Sequence, residues 1–76
     1  MYLNIGADVL VKNSDIIGIF DLDTATVSAE TKRFLKEKEN NGLVTHAGYE
    51  LPKSFVLLCD GRVFLSQFSA SSLKHR

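Results

Sequence analysis

The feature that most constrains the fold is an apolar run near the C-terminal end, followed at once by a turn signal. Residues Ser54–Cys59 lack the polar alternation of a strand with one face in water. Such a run is typical of a strand that is buried on both faces. Asp60-Gly61 comes next, and both residue types tolerate the positive φ angles of a tight hairpin turn. We therefore expect Arg62–Ser66 to return as the antiparallel partner.

Three shorter apolar segments, separated by turn residues, occupy the first third of the chain. They cover residues 2–5, 9–11 and 16–22, and the third is the strongest because β-branched and aromatic residues favour strands. Gly18 lies inside it, and a glycine within a strand marks a bulge or a close approach of another group. Since short turns join the three segments, we expect antiparallel pairing between neighbours.

One main helix is predicted in the middle of the chain. Ser28 is a suitable N-cap, nothing from residue 29 to 39 breaks a helix, and Gly42 can adopt the left-handed conformation that ends one. Phe34 and Leu35 provide only a narrow apolar stripe. Docking onto the sheet, rather than intrinsic propensity, must therefore hold this helix.

A short strand at 43–46 and a helical turn that begins near Ser69 complete the pattern. The predicted fold is α+β: a small, mostly antiparallel sheet of about five or six short strands with one main helix packed on it. We expect a single domain over residues 1–76, because no repeat, low-complexity segment or linker interrupts the chain.

Size and cysteine content limit how such a fold can be stabilised. A chain this short buries only about 60% of the surface that its unfolded form exposes. Small folds offset this deficit with disulfides, a metal or oligomerisation. Cys59 is the only cysteine, and Cys59, His46 and His75 lack the spacing of zinc ligands. No cofactor or metal is expected, and self-association is the predicted supplement.

Charge and hydropathy point to a cytoplasmic protein without a membrane partner. Nine basic residues balance nine acidic ones, which argues against a strong DNA binder acting as a monomer. An oligomer that repeats one modest basic patch remains compatible. No stretch approaches the roughly 20 apolar residues of a membrane span, and the N-terminus lacks the pattern of a secretory signal. A lone cysteine in an apolar run fits a reducing compartment.

The chain is predicted not to be an enzyme, because no catalytic constellation is present. The five glycines are dispersed, so there is no phosphate-binding loop. Cys59 and His46 could form a nucleophile–base pair, but a cysteine in an apolar strand is usually an inert core residue. Asp21 and Asp23 could converge on a cation, yet one pair supplies only part of a ligand set. A strand end that reaches solvent is the favoured interpretation.

Basic residues at five positions are the candidate DNA contacts. They lie on the predicted helix, at the start of the buried strand and just after the hairpin turn: Lys32, Arg33, Lys36, Lys53 and Arg62. The alternative is an ordinary solvated helix face, since glutamates are interleaved with the helical members. Nothing resembles a recognition helix or an aromatic platform for single strands, so contacts would be to phosphates and shape.

Read together, five segments resemble the extracellular-matrix regulator B proteins of Gram-positive bacteria, which are short relatives of the A-branch transcription factors that govern biofilm-matrix genes. The most specific block is Asp-Ile-Ile-Gly-Ile-Phe-Asp at residues 15–21. The others are Met1-Tyr2 with Gly6 and Asp8, Phe34-Leu35, Pro52-Lys53-Ser54-Phe55-Val56, and Ser69-Ala70-Ser71-Ser72-Leu73-Lys74.

This resemblance implies a fold related to the LytTR DNA-binding domain, a ring-like homo-oligomer, and double-stranded DNA wrapped around it by surface arginines. Repetition around a ring would add weak phosphate contacts by avidity. The A branch has adjacent arginines ahead of its buried strand, where this chain has Tyr49-Glu50-Leu51-Pro52, leaving Lys53 as the nearest base. Two functions therefore stay open: a ring-forming DNA-binding regulator, with Lys53 the leading contact, and an oligomeric protein-interaction module with an exposed apolar patch around Tyr2, Tyr49 and Phe68.

Overall fold

The computed structural model describes residues 1–22, 28–48 and 51–75. Within these ranges the chain forms six strands and two helices. In chain order they are β1 (Tyr2–Asn4), β2 (Leu10–Lys12), β3 (Ile16–Asp21), α1 (Ala29–Asn40), β4 (Val44–Ala47), β5 (Ser54–Leu58), β6 (Val63–Ser66) and α2 (Ala70–Lys74), with one turn of 3-10 helix at Asn13–Asp15. The predicted α+β class with one main helix is confirmed.

The strands form two sheets rather than one. β1 and β2 make a two-stranded antiparallel sheet, and the other four have the order β3-β5-β6-β4. β5 and β6 form the predicted hairpin through Asp60 and Gly61, with the Gly61 N–H donating to the Leu58 carbonyl at 3.0 Å. β4 runs parallel to β6, and the other pairs in this sheet are antiparallel.

The prediction that β3 would pair with its chain neighbour is wrong. β3 pairs with β5, more than thirty residues away, because the 3-10 turn before Ile16 redirects the chain out of the first sheet. The pairing places the Phe20 ring against the Phe55 ring, with centroids 5.0 Å apart. A register shift between Ile16 and Gly18 provides the expected bulge. The Phe20 ring lies over Gly18, where a Cβ would come within 2.6 Å of it.

The core lies between the two sheets. Leu3 and Val11 contribute from the small sheet, Val56 and Leu58 from β5, and Leu73 from α2. The buried Ser66 hydroxyl on β6 donates to the Ile5 carbonyl at 2.6 Å and accepts from the Phe68 N–H at 3.1 Å. This hydroxyl therefore joins the large sheet to the segment that follows β1.

Helix α1 lies on the opposite face of the large sheet and has no fully buried residue. Its half-buried positions are Thr31, Phe34, Leu35 and Lys38, one stripe at helical spacing. Ser28 is the N-cap residue as predicted, although its side chain makes no capping hydrogen bond. Ser69 caps α2 as predicted, accepting from the Ser72 N–H at 3.1 Å.

Candidate nucleic-acid interface and the groove beside it

The exposed face of α1 presents three of the five candidate DNA contacts. Lys32, Arg33 and Lys36 are all exposed, because the apolar stripe turns the other side of the helix towards the sheet. Lys32 and Lys36 are one turn apart, and like charges at this spacing cost an isolated helix about 0.2–0.5 kcal/mol. Glu39 is exposed at i+3 from Lys36, a facing position on a helix, and offsets part of this cost. A bound anion would relieve the rest.

Arg62 is exposed but already has an anionic partner. Its Nε donates to Asp60 Oδ2 at 2.7 Å, and its guanidinium lies 5.6 Å from the centre of the Phe64 ring. The Arg62 backbone N–H also donates to Asp60 Oδ1, and this bond is the main reason that the pKa of the Asp60 carboxyl is lowered. A phosphate at Arg62 would compete with this carboxylate.

Lys53 lies at the other end of β5 from Arg62. Its backbone is fixed, since its N–H donates to the Ser66 carbonyl at 2.8 Å and its carbonyl accepts from the Leu22 N–H at 3.0 Å. Its side chain is exposed. The five residues of β5 separate Lys53 from the turn that carries Arg62 by roughly 17 Å, at about 3.3 Å per residue.

Helix α1 extends alongside β5 from the Lys53 end to the Arg62 end. Its N-terminal Glu30 and Thr31 lie near Phe55, close to the Lys53 end of β5, whereas the Lys38 ammonium lies near Gly61 at the other end. The candidate contacts therefore follow the length of the sheet instead of forming one compact cluster.

Lys12 is a basic residue that the sequence analysis did not single out. It lines a surface hollow of about 260 Å³ together with Tyr2, Leu10, Arg62 and Phe64. The signal was available in the alternation of β2, where buried Val11 requires its neighbours Leu10 and Lys12 to face outwards.

The expectation that Cys59 is an inert core residue is wrong. β5 ends at Leu58, and Cys59 lies exposed at the start of the hairpin turn, with its N–H bonded to the Asp15 carbonyl at 2.8 Å. His46 is on the edge strand β4, two strands away from β5, and pairs with Leu65. The structure therefore does not bring this thiol and imidazole together.

The structure describes only one member of the candidate carboxylate pair, Asp21 and Asp23. Asp21 ends β3 opposite Ser54, and Asp23 lies outside the described residues, as do Tyr49 and Glu50. Across 1–22, 28–48 and 51–75, no three His, Cys, Asp or Glu side chains converge on a point that could hold a metal ion. In the same ranges, no helix has the length and apolar character needed to cross a membrane.

An apolar groove of about 260 Å³ lies between α1 and the face of the large sheet. We call it the α1 groove, and it is lined by Phe20, Glu30, Thr31, Phe34, Phe55 and Leu57. Phe20 remains 41% exposed within it. The narrow stripe on α1 thus covers Phe55 but leaves part of the Phe20 ring uncovered.

Comparison with known proteins gives a consistent family assignment over nearly the whole chain. The model of the extracellular matrix regulatory protein A-like family matches residues 2–76. Extracellular matrix regulatory protein B of Bacillus subtilis (strain 168) is 36% identical over 76 residues, an alignment that covers 100% of this chain and 89% of that protein. Membership implies a regulatory role. The chain therefore belongs to the extracellular matrix regulatory protein A-like family.

Proposed function

We propose that this chain is a non-enzymatic, DNA-binding transcriptional regulator of extracellular-matrix genes, and that it acts in the cytoplasm as a ring-like homo-oligomer. The observation that carries the proposal is the exposed basic face of α1 in a chain that belongs to a matrix-regulator family. Lys32 and Lys36 provide two neighbouring cations, and Arg33 lies beside them. Their long side chains can reach phosphate oxygens without entering a groove of the duplex.

Oligomerisation is what makes such a weak patch sufficient. The chain has no net charge, so a single copy has little long-range attraction for DNA. A second copy bound to the same duplex adds its contacts as an intramolecular event, at an effective concentration in the millimolar range for closely tethered sites. Several copies around one assembly would therefore bind with high avidity and little base preference.

Fluorescence anisotropy of a labelled A·T-rich duplex, from low to physiological salt, tests this proposal. The logarithm of the binding constant should fall linearly with the logarithm of salt concentration, with a slope of about 0.9 for each phosphate contact. The double variant Lys32→Glu/Lys36→Glu should bind weakly and with a shallower slope. Single Lys53→Glu and Arg62→Glu variants measure how much each end of β5 contributes to DNA affinity. A greater loss of affinity is expected for Lys53→Glu, because Arg62 already contacts Asp60.

Lys74→Glu is the matched control, since Lys74 is exposed on α2 and is not among the candidates. Affinity retained in the α1 double variant would refute the role of the helix, and affinity retained in Lys53→Glu would refute that assignment. Equal losses in Lys74→Glu would show that overall charge, rather than this surface, governs binding.

The engagement of Arg62 by Asp60 favours a second candidate, a homo-oligomeric protein-interaction module that has lost DNA binding. No binding even at low salt, by protein that light scattering shows to be assembled, would support it. Capture of specific proteins in the presence of nuclease is its direct test, and loss of every specific band would count against it.

A further inference from the structure

A second apolar surface lies on the outer face of the small sheet, and we call it the outer patch (Tyr2, Leu10 and Lys12). Tyr2 is 63% exposed and Leu10 is 61% exposed. They face outwards because the residues between them in the ladder, Leu3 and Val11, point into the core. Lys12 pairs directly across from Tyr2, and both residues line the same surface hollow.

The outer patch and the α1 groove lie on opposite sides of the molecule. Val56 and Leu58 of β5 point into the core beneath the small sheet, whereas the alternate residues Phe55 and Leu57 line the groove. The layers therefore run from the outer patch through the core and the large sheet to the groove. A copy cannot place its own patch in its own groove.

The groove has the size and charge to receive side chains of this kind. Its volume of about 260 Å³ is below the roughly 300–1,000 Å³ of typical small-molecule sites. Its floor is aromatic, which suits the ring of Tyr2 in an offset or edge-to-face contact. Glu30 lines the groove and is exposed, so it can meet the Lys12 ammonium that accompanies Tyr2.

We infer that the outer patch of one copy docks in the α1 groove of the next copy, with Lys12 of the first facing Glu30 of the second. This inference deepens the homo-oligomer of the proposed function and rests on it. Because the two surfaces differ, the contact is heterologous: every copy both inserts a patch and offers a groove. Repetition of such a contact closes into a ring when the rotation between copies permits, and otherwise extends as a filament.

A mixing experiment with the full chain tests the heterologous contact. Leu10→Glu places a carboxylate in the outer patch of one copy, where it would face Glu30 of the next copy. Thr31→Arg fills the groove with a bulky cation, which would face Lys12 of the neighbouring copy. Each variant alone should run as a monomer by size-exclusion chromatography with light scattering. An equimolar mixture should form a discrete dimer, since the Leu10→Glu copy keeps its groove and the Thr31→Arg copy keeps its patch.

Ile17→Glu is the control, because Ile17 is as exposed as Tyr2 and belongs to neither surface. It should assemble like the unaltered chain. A monomeric unaltered chain, full assembly of either single variant, or a mixture that stays monomeric would each overturn the inference. Assembly of Thr31→Arg alone, with Leu10→Glu monomeric, would indicate a two-fold contact between identical outer patches instead.

A charge-reversal set provides a second test that leaves the apolar contacts in place. Lys12→Glu and Glu30→Lys should each weaken assembly about tenfold, the factor that corresponds to about 1.4 kcal/mol, because each creates a like-charge pair at every contact. Both changes in one chain restore an opposite-charge pair and should restore assembly. Circular dichroism would show whether Leu10→Glu or Thr31→Arg unfolds the chain. If either does, the charge-reversal variants alone test the inference, and failure of the double variant to restore assembly overturns it.

Failure of this inference is distinct from failure of DNA binding. Assembly is measured without DNA. If the chain assembles but the substitutions do not change its assembly, only the docking contact is contradicted. If the substitutions change assembly as expected but the assembled chain does not bind the duplex, only the proposed function is contradicted.

Discussion

The buried hydroxyl of Ser66 should be among the most important single groups for stability. Ser66→Ala removes a bond to the Ile5 carbonyl at 2.6 Å and a bond from the Phe68 N–H at 3.1 Å. A buried polar group left without its partner costs about 1–3 kcal/mol. Phe68 is only half-buried, so water can replace part of the bond that its N–H loses. We therefore expect the free energy of unfolding to fall by about 2–4 kcal/mol in total.

This loss is large against the whole stability of the chain. At roughly 0.05–0.15 kcal/mol per residue, a protein of this length unfolds with a free energy of about 4–11 kcal/mol. A loss of 2–4 kcal/mol would lower the melting temperature by about 8–32 °C, at about 4–8 °C per kcal/mol. Urea and thermal unfolding followed by circular dichroism would measure it, at several protein concentrations because assembly adds to apparent stability.

A graded series supplies the controls. Ser54 is equally buried but makes one described bond, its hydroxyl donating to the Phe68 carbonyl at 2.7 Å, so Ser54→Ala should cost about 1–2 kcal/mol. Ser71 is exposed on α2, and Ser71→Ala should change the free energy of unfolding by less than about 0.5 kcal/mol. If Ser66→Ala were no worse than Ser71→Ala, the hydroxyl would not stabilise the link between the large sheet and the segment that follows β1.

Three further changes test local features. Ala7 has a φ of 49° in the turn between β1 and β2, so Ala7→Gly should raise the free energy of unfolding by about 0.5–1 kcal/mol, and a loss would contradict the left-handed conformation. The Arg62 backbone N–H lowers the pKa of the Asp60 carboxyl in the folded protein. The ionised carboxylate therefore stabilises the fold at pH values above the ordinary aspartate pKa of about 3.9, and this contribution is lost as the pH falls through the lower pKa of the folded state. Asp60→Asn should therefore destabilise the protein at pH 6 more than at pH 2.5 in urea unfolding, and an equal effect at both would contradict this linkage. Cys59 should react stoichiometrically with a thiol reagent without denaturant, whereas protection until unfolding would show that assembly or packing covers it.

Local elements were predictable because their signals are local. Asp60-Gly61 fixes the β5–β6 hairpin by turn geometry, and Gly42 follows the helix where its stop signal was expected. The end of β5 was misplaced by one residue, because Cys59 is apolar and continues the hydrophobic run into the turn. One residue is enough to reverse its predicted burial.

Tertiary pairing could not be derived in the same way. Both β2 and β5 offered β3 a plausible antiparallel partner, and only the stacking of Phe20 on Phe55 and the turn before Ile16 select β5. The parallel arrangement of β4 and β6 also has no short-range signal. The candidate site shows the same division: exposure of Lys32 and Lys36 follows from the helical stripe, but the distance between Lys53 and Arg62 required knowledge of the strand directions.

The long-range pairing of β3 with β5 has a consequence for synthesis on the ribosome. Ser54, the first residue of its partner strand, is the 33rd residue to be joined after Asp21. At roughly 5–20 residues per second, this delay lasts about 2–7 s. During that time Ile16–Phe20 is an apolar strand without its partner, and such segments readily pair with other unfolded chains. The order of strands thus gives the nascent chain an unpaired apolar strand, which the finished protein pairs with β5.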